Sequence, residues 1–125
     1  MNNKRRSALK KIETRVVTLQ QKLEYIAEDL EYVQTDIEEL LEEEQEYMDN
    51  MPENLQGSER YEVAEAAADE MEEAAGNVEE ARDTVNEVLE AMEEIKEQLA
   101  EFKSQLSDAV ETLGSAADNL STAQE

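Results

Sequence analysis

The chain has 125 residues and a net charge of −23, with no cysteine and no histidine. That length makes one domain, residues 1–125. The missing residue types exclude a disulfide framework, the usual zinc and transition-metal ligand sets, and any Ser-His or Cys-His nucleophile.

Hydrophobic residues are 39% and aromatics 4%. These suit a thin apolar seam between helices better than a thick globular core. The first 22 residues carry Lys4, Arg5, Arg6, Lys10, Lys11, Arg15 and Lys22 against Glu13 alone. Beyond them the only cations are Arg60, Arg82, Lys96 and Lys103. The basic start lacks the apolar stretch of a signal peptide, and no apolar run approaches the roughly 20 residues that span a bilayer. The chain therefore reads as soluble and cytoplasmic, without a membrane partner.

A first helix is expected over about residues 5–49. Leu9, Val16, Leu23, Leu30 and Ile37 recur every seven residues, and so do Ile12, Leu19, Ile26, Val33 and Leu40. These two rows form the a/d seam of a coiled coil. The strict register fails at Glu44, and Leu41, Tyr47, Met48 and Met51 shift the stripe sideways.

A loop follows over about residues 50–58, where Pro52 disfavours helix at the residue before it. Gly57 permits a positive backbone angle and Ser58 is a good helix cap. The second helix is expected over about residues 59–112. Its stripe runs Tyr61, Ala64, Ala68, Met71, Ala75, Val78, then Ala81, Val85, Val88, Met92, Ile95, Leu99, Phe102 and Leu106. The extra three-residue step from Val78 to Ala81 is a stammer beside Gly76-Asn77. Either a kink or break falls there, or the helix runs on.

A short loop makes the two helices antiparallel neighbours. The expected fold is thus all-α: a long antiparallel helical hairpin. Folding about Asn54 sets Leu9 near Leu99 and Leu30 near Val78. It also lays Lys10, Lys11, Arg15 and Lys22 along Glu87, Glu90, Glu93, Glu94, Glu97 and Glu101. A less charged extension, about residues 113–125, then overhangs, folds back after Gly114, or packs on a second copy. Leu41 and Met48 would lie off the first seam, and the stripe that continues through Leu106, Val110 and Leu113 would have no partner. They are candidates for joining two hairpins into a four-helix homodimer.

Carboxylates are abundant, but two helices offer no enclosed pocket in which one would become a general acid. No stretch matches a calcium loop. No catalytic, metal or cofactor residue is therefore assigned, and the expected activity is binding. The basic start could touch nucleic acid or an anionic membrane, but so acidic a chain would repel a polyanion almost everywhere else. Direct nucleic-acid binding is thus not expected.

Lysine is absent between Lys22 and Lys96, and ordinary coiled coils mix both signs along their flanks. Carboxylates four residues apart on a helix are spaced about 6 Å and can imitate a phosphate backbone. The candidate partner-binding residues are Glu38, Glu39, Glu42, Glu43, Glu46 and Asp49 on the first helix. On the second they are Glu62, Glu65, Asp69, Glu72 and Glu73. The expected partner is a protein with a basic, nucleic-acid-binding surface. The alternative is a structural or assembly coiled coil: a virion accessory, scaffold or chaperone subunit.

The run Pro52-Glu53-Asn54-Leu55-Gln56-Gly57-Ser58-Glu59-Arg60-Tyr61-Glu62, leading into an Ala/Glu-rich helix, resembles small acidic proteins encoded by phages and prophages of Gram-positive bacteria. The resemblance covers the loop and the second helix. It implies a phage origin and a place among small acidic phage proteins, which include anti-restriction and anti-CRISPR inhibitors. It implies no particular functional residues.

Overall fold

The computed structural model describes residues 3–124, with side-chain surroundings for residues 3–109 and 113. The chain is 94% helical, and its two long helices pack against each other as a hairpin. Helix α1 spans Asn3–Asp49 and α2 spans Glu59–Gln124, with a short 3-10 turn at Glu53–Leu55 between them. No strand occurs among the described residues.

α1 forms against its own electrostatics. Its first turn has no acidic residue and its last turn no basic one, opposite to what the helix dipole favours. Its helicity therefore rests on packing and on good helix formers, with neither Gly nor Pro between Asn3 and Asp49. α2 is favoured at its start, with Glu59 and Glu62 in the first turn. Ser58 caps it as expected, its Oγ accepting the Tyr61 N–H at 3.4 Å. No glycine among the described residues takes a positive φ, so Gly57 does not use that freedom.

Two compact units make up the hairpin. Leu23–Val88 holds the loop, and Met51, Ala64, Ala68 and Ala75 are buried in it. Across it the Arg82 guanidinium donates to the Gln34 side-chain oxygen at 2.9 Å. The other unit joins Met1–Lys22 to Leu89–Glu125, with Leu9, Gln20 and Met92 buried. Here the Gln20 amide donates to the Glu93 carboxylate, and Lys103 Nζ lies 3.8 Å from Glu13 Oε2.

The burial pattern corrects the seam. On α1 the covered positions are Leu9, Glu13, Val16, Gln20, Leu23, Ala27, Leu30, Gln34, Ile37, Leu41, Glu44 and Met48, and Met51 continues the row just past its end. The steps alternate four and three throughout, with no failure at Glu44. The row Leu9 to Ile37 is in the seam as expected. The row Ile12, Leu19, Ile26, Val33 and Leu40 is not: with Tyr47, its members are 44–52% exposed. Their place is taken by the residues one position later. Leu41 and Met48 are thus half-buried inside the hairpin and do not stand off it. The reason is width. The apolar arc of α1 extends over three heptad positions, and one partner helix covers only two of them.

α2 is corrected in the same way. Its seam runs Tyr61, Ala64, Ala68, Met71, Ala75, Val78, Arg82, Val85, Leu89, Met92, Lys96 and Leu99, again in unbroken threes and fours, with Ala67 and Ala74 half-buried beside it. There is no stammer, because Arg82 takes the place assigned to Ala81. The helix runs unbroken through Gly76-Asn77 and through Gly114, so neither a break nor a fold-back occurs. Ala81, Val88, Ile95 and Phe102 are exposed.

The pairing register is about one heptad further along α2 than a fold about Asn54 gives. Leu9 shares a surface pocket with Leu106, not Leu99, and Gln34 meets Arg82 where Ala74 was expected. The polar rungs decide this. In the expected register Gln34 would sit among alanines and Arg82 against Ile26 and Ala27, leaving polar groups unpaired in the seam. Leu106 consequently has a partner in its own hairpin. Leu113 is exposed, and the side chain of Val110 lies outside the described residues. Lys10, Lys11, Arg15 and Lys22 make no cross-helix ion pair among the described residues. They occupy exposed positions, and the cation that meets Glu13 of α1 is Lys103 of α2.

Candidate acidic interface

The seam fixes the direction of every other side chain. On α1 the positions next to the seam on one flank are Ile12, Leu19, Ile26, Val33, Leu40 and Tyr47. On the other flank they are Lys10, Val17, Glu24, Glu31, Glu38 and Gln45. An antiparallel pair is related by a local two-fold normal to its plane, which carries the flank of one helix to the same side of the other. The apolar flank of α1 therefore lies beside Ala67, Ala74, Ala81, Val88, Ile95 and Phe102 of α2. The polar flank lies beside Glu65, Glu72, Glu79, Asn86 and Glu93. The Leu23–Val88 unit is apolar on one side and acidic on the other.

All eleven acidic residues singled out from the sequence are exposed. They all belong to the Leu23–Val88 unit. None forms an ion pair among the described residues, and the contact found on them is the Gln34 amide donating to Glu38 at 3.2 Å. They do not form one patch. Glu38, Glu65 and Glu72 line the polar side of the hairpin. Glu39, Glu42, Glu46 and Asp49 lie on the back of α1, away from α2, and Glu73 on the back of α2. Glu62 and Asp69 lie on the back of α2 toward its polar side, as Glu42 and Asp49 do on α1, and Glu43 borders the apolar side.

The polar side contains carboxylates that the i, i+4 criterion passed over. Glu24, Glu31 and Glu38 recur every seven residues on α1, and Glu65, Glu72 and Glu79 do so on α2; with Gln34 opposite Arg82, Glu38 falls opposite Glu79. Seven residues rise about 10.5 Å, and the axes of packed helices lie roughly 8–10 Å apart. The two rows are thus offset along the helices, overlap at Glu38 and Glu79, and together line a shallow polar trough. Their signal in the sequence is seven-residue spacing in phase with the seam, not four-residue spacing along one helix.

Glu93 shows how the acid side couples to the fold. The Gln20 amide, then the Lys96 ammonium 3.4 Å away, hold its carboxyl below the ordinary carboxylate range. Glu13, by contrast, has one oxygen, Oε1, buried without a hydrogen-bond partner.

A hollow of about 560 Å³ sits beside the loop, lined by Tyr47, Asn50, Met51, Pro52, Leu55 and Arg60. No group of three or more acidic side chains among the described residues is arranged to hold a metal ion. No helix searched there is long and apolar enough to cross a membrane. Comparison with protein-family models, curated proteins and solved structures finds no match.

Proposed function

We propose that this chain is a non-enzymatic binding protein of phage type. It would present its acidic hairpin to the basic, nucleic-acid-binding surface of a host protein and so block that surface. It works in the host cytoplasm and needs no cofactor. One observation carries the reading: between Lys22 and Val88 the exposed carboxylates stand without cationic partners among the described residues. Such one-signed charge costs stability through self-repulsion, and competition for lysines and arginines that bind phosphate gives it a use. The resemblance of residues 52–62 to small acidic phage proteins points the same way. The second reading, an assembly coiled coil, is favoured by the exposed apolar side.

The test is displacement. Host proteins retained by the chain are identified, and a labelled duplex bound to each is challenged with the chain and its variants. Glu31, Glu38 and Glu72 reversed together to Lys test the polar trough, and Glu39, Glu42 and Glu46 reversed together to Lys test the back of α1. One triple should lose displacement at least tenfold while helicity persists, and the parent's displacement should weaken steeply with salt. If both triples displace the duplex as well as the parent does, the mimic reading fails.

A further inference from the structure

We infer that the hollow beside the loop is a socket for one aromatic side chain of the partner, a ring set between lysines or arginines. The inference rests on the acidic-mimic reading and deepens it, since it names what the partner carries besides cations.

The hollow belongs wholly to the Leu23–Val88 unit. Its volume of about 560 Å³ falls within the roughly 300–1,000 Å³ of ligand pockets. Met51 is buried in its lining, while Tyr47 and Leu55 are 45% and 46% exposed and leave apolar surface open to water. The walls are fixed before anything enters. The Met51 N–H donates to the Met48 carbonyl at 3.2 Å, the Leu55 N–H to Pro52 at 2.8 Å and the Ser58 N–H to Leu55 at 3.0 Å. The Gln56 side-chain amide donates to the Met51 carbonyl at 3.4 Å. A site held in this way has little freedom left to lose on binding.

Charge selects the occupant. Glu46, Asp49, Glu53 and Glu59 each adjoin a lining residue in the chain. All four are exposed, and none forms an ion pair among the described residues. Against them the lining holds a single cation, Arg60. The rim therefore favours cationic flanks on whatever enters and opposes an anionic ligand. Arg60 has another use: a guanidinium is attracted to the face of an aromatic ring, and Tyr47 offers a second ring to pack on. An aromatic side chain is thus the apolar group that the lining suits best. Aromatic side chains among lysines and arginines are also how proteins hold the unpaired bases of a nucleic acid, the ring stacking on a base and the cations meeting phosphates. The carboxylates here stand in for phosphates, and the hollow receives the ring that a base would cover.

The probes are two peptides, acetyl-Lys-Arg-Phe-Arg-Lys-amide and the same peptide with Ala for Phe. Each is titrated into the isotope-labelled full chain and followed by backbone amide shifts. The Ala peptide measures attraction to the carboxylates, and the ratio of the two dissociation constants measures the hollow. The Phe peptide should bind about tenfold tighter, with the added shifts centred on Met51, Leu55 and Arg60. Tyr47→Ala and Leu55→Asn, at exposed positions, should each bring the ratio toward one while circular dichroism shows helicity kept. Tyr25→Ala removes an exposed ring outside the lining and should leave the ratio unchanged. Salt should weaken both peptides and spare the ratio. A ratio near one in the parent, with both peptides bound, would overturn the socket and leave the mimic reading standing. So would a ratio that survives both lining variants. Failure of both peptides to bind at low salt would overturn the socket and the mimic reading together. Tighter binding of acetyl-Glu-Asp-Phe-Asp-Glu-amide than of the Lys/Arg peptide would overturn the cationic flanks and make Arg60 the anchor of an anionic ligand.

Discussion

Ala64→Leu probes how closely the helices approach at the loop end. Ala64 is 3% exposed, the lowest value among the described core residues, and Met51, Ala68 and Ala75 are buried in the same unit. A leucine adds three carbons where the seam has no room. Overpacking of this kind costs about 1–3 kcal/mol, and a domain of this size loses roughly 4 °C in Tm per kcal/mol. The variant should therefore melt about 4–12 °C lower than the parent. Ala66→Leu is the control. Ala66 is exposed on the same helix, and the two residues differ in helix propensity by only a few tenths of a kcal/mol. The assay is a circular dichroism melt of all three proteins at one fixed concentration, since self-association would raise Tm with concentration. If the two leucine variants melt within about 2 °C of each other, the close approach at Ala64 is wrong.

Three further outcomes follow from single features. Gly76 lies inside continuous helix with open space where a Cβ would stand, so Gly76→Ala should stabilise by about 0.5–1 kcal/mol and raise Tm by a few degrees in a thermal melt. Glu13→Leu removes a buried oxygen that has no partner and extends the Leu9 surface; denaturant titration should show a gain of about 1 kcal/mol. Glu93→Gln removes a carboxyl held below its ordinary range. That carboxyl's contribution is complete above the unfolded carboxylate range and is lost as pH falls through the folded value. The Tm advantage of the parent over this variant should thus be present at pH 7 and shrink toward zero below roughly pH 4. An advantage that grows on acidification would contradict the Gln20 and Lys96 contacts.

The hairpin was legible because its signals are local: two long runs of helix formers, one proline and a serine cap. The a row of α1 was legible too, since Leu9 to Ile37 repeats without fault. What was not legible is which flank joins that row in the seam. Ile12 and Leu19 are more apolar than Glu13 and Gln20, so periodicity selects them. The polar residues enter the seam instead because they find Lys103 and Glu93 across it. The register failed for the same reason: seven-residue repeats match equally well one heptad apart, and only the pairing of Gln34 with Arg82 separates the two choices. The exposure of the eleven carboxylates was readable from composition. Their division among the trough, the backs of the helices and the apolar border required the seam first.

The polar rungs also set an order in time. Gln34 and Arg82 are 48 residues apart in sequence, and Gln20 and Glu93 are 73 apart. Each rung nearer the loop shortens the chain segment that the next rung must close, so pairing proceeds outward from the loop like a zip. α1 leaves the ribosome first, with charges that oppose its own dipole, and has nothing to fold against until α2 follows. Hydrogen exchange should therefore be slowest near Ala64 and Ala68 and fastest toward Leu9, and a force pulling on the N-terminus should peel the basic end away while the acidic unit stays folded.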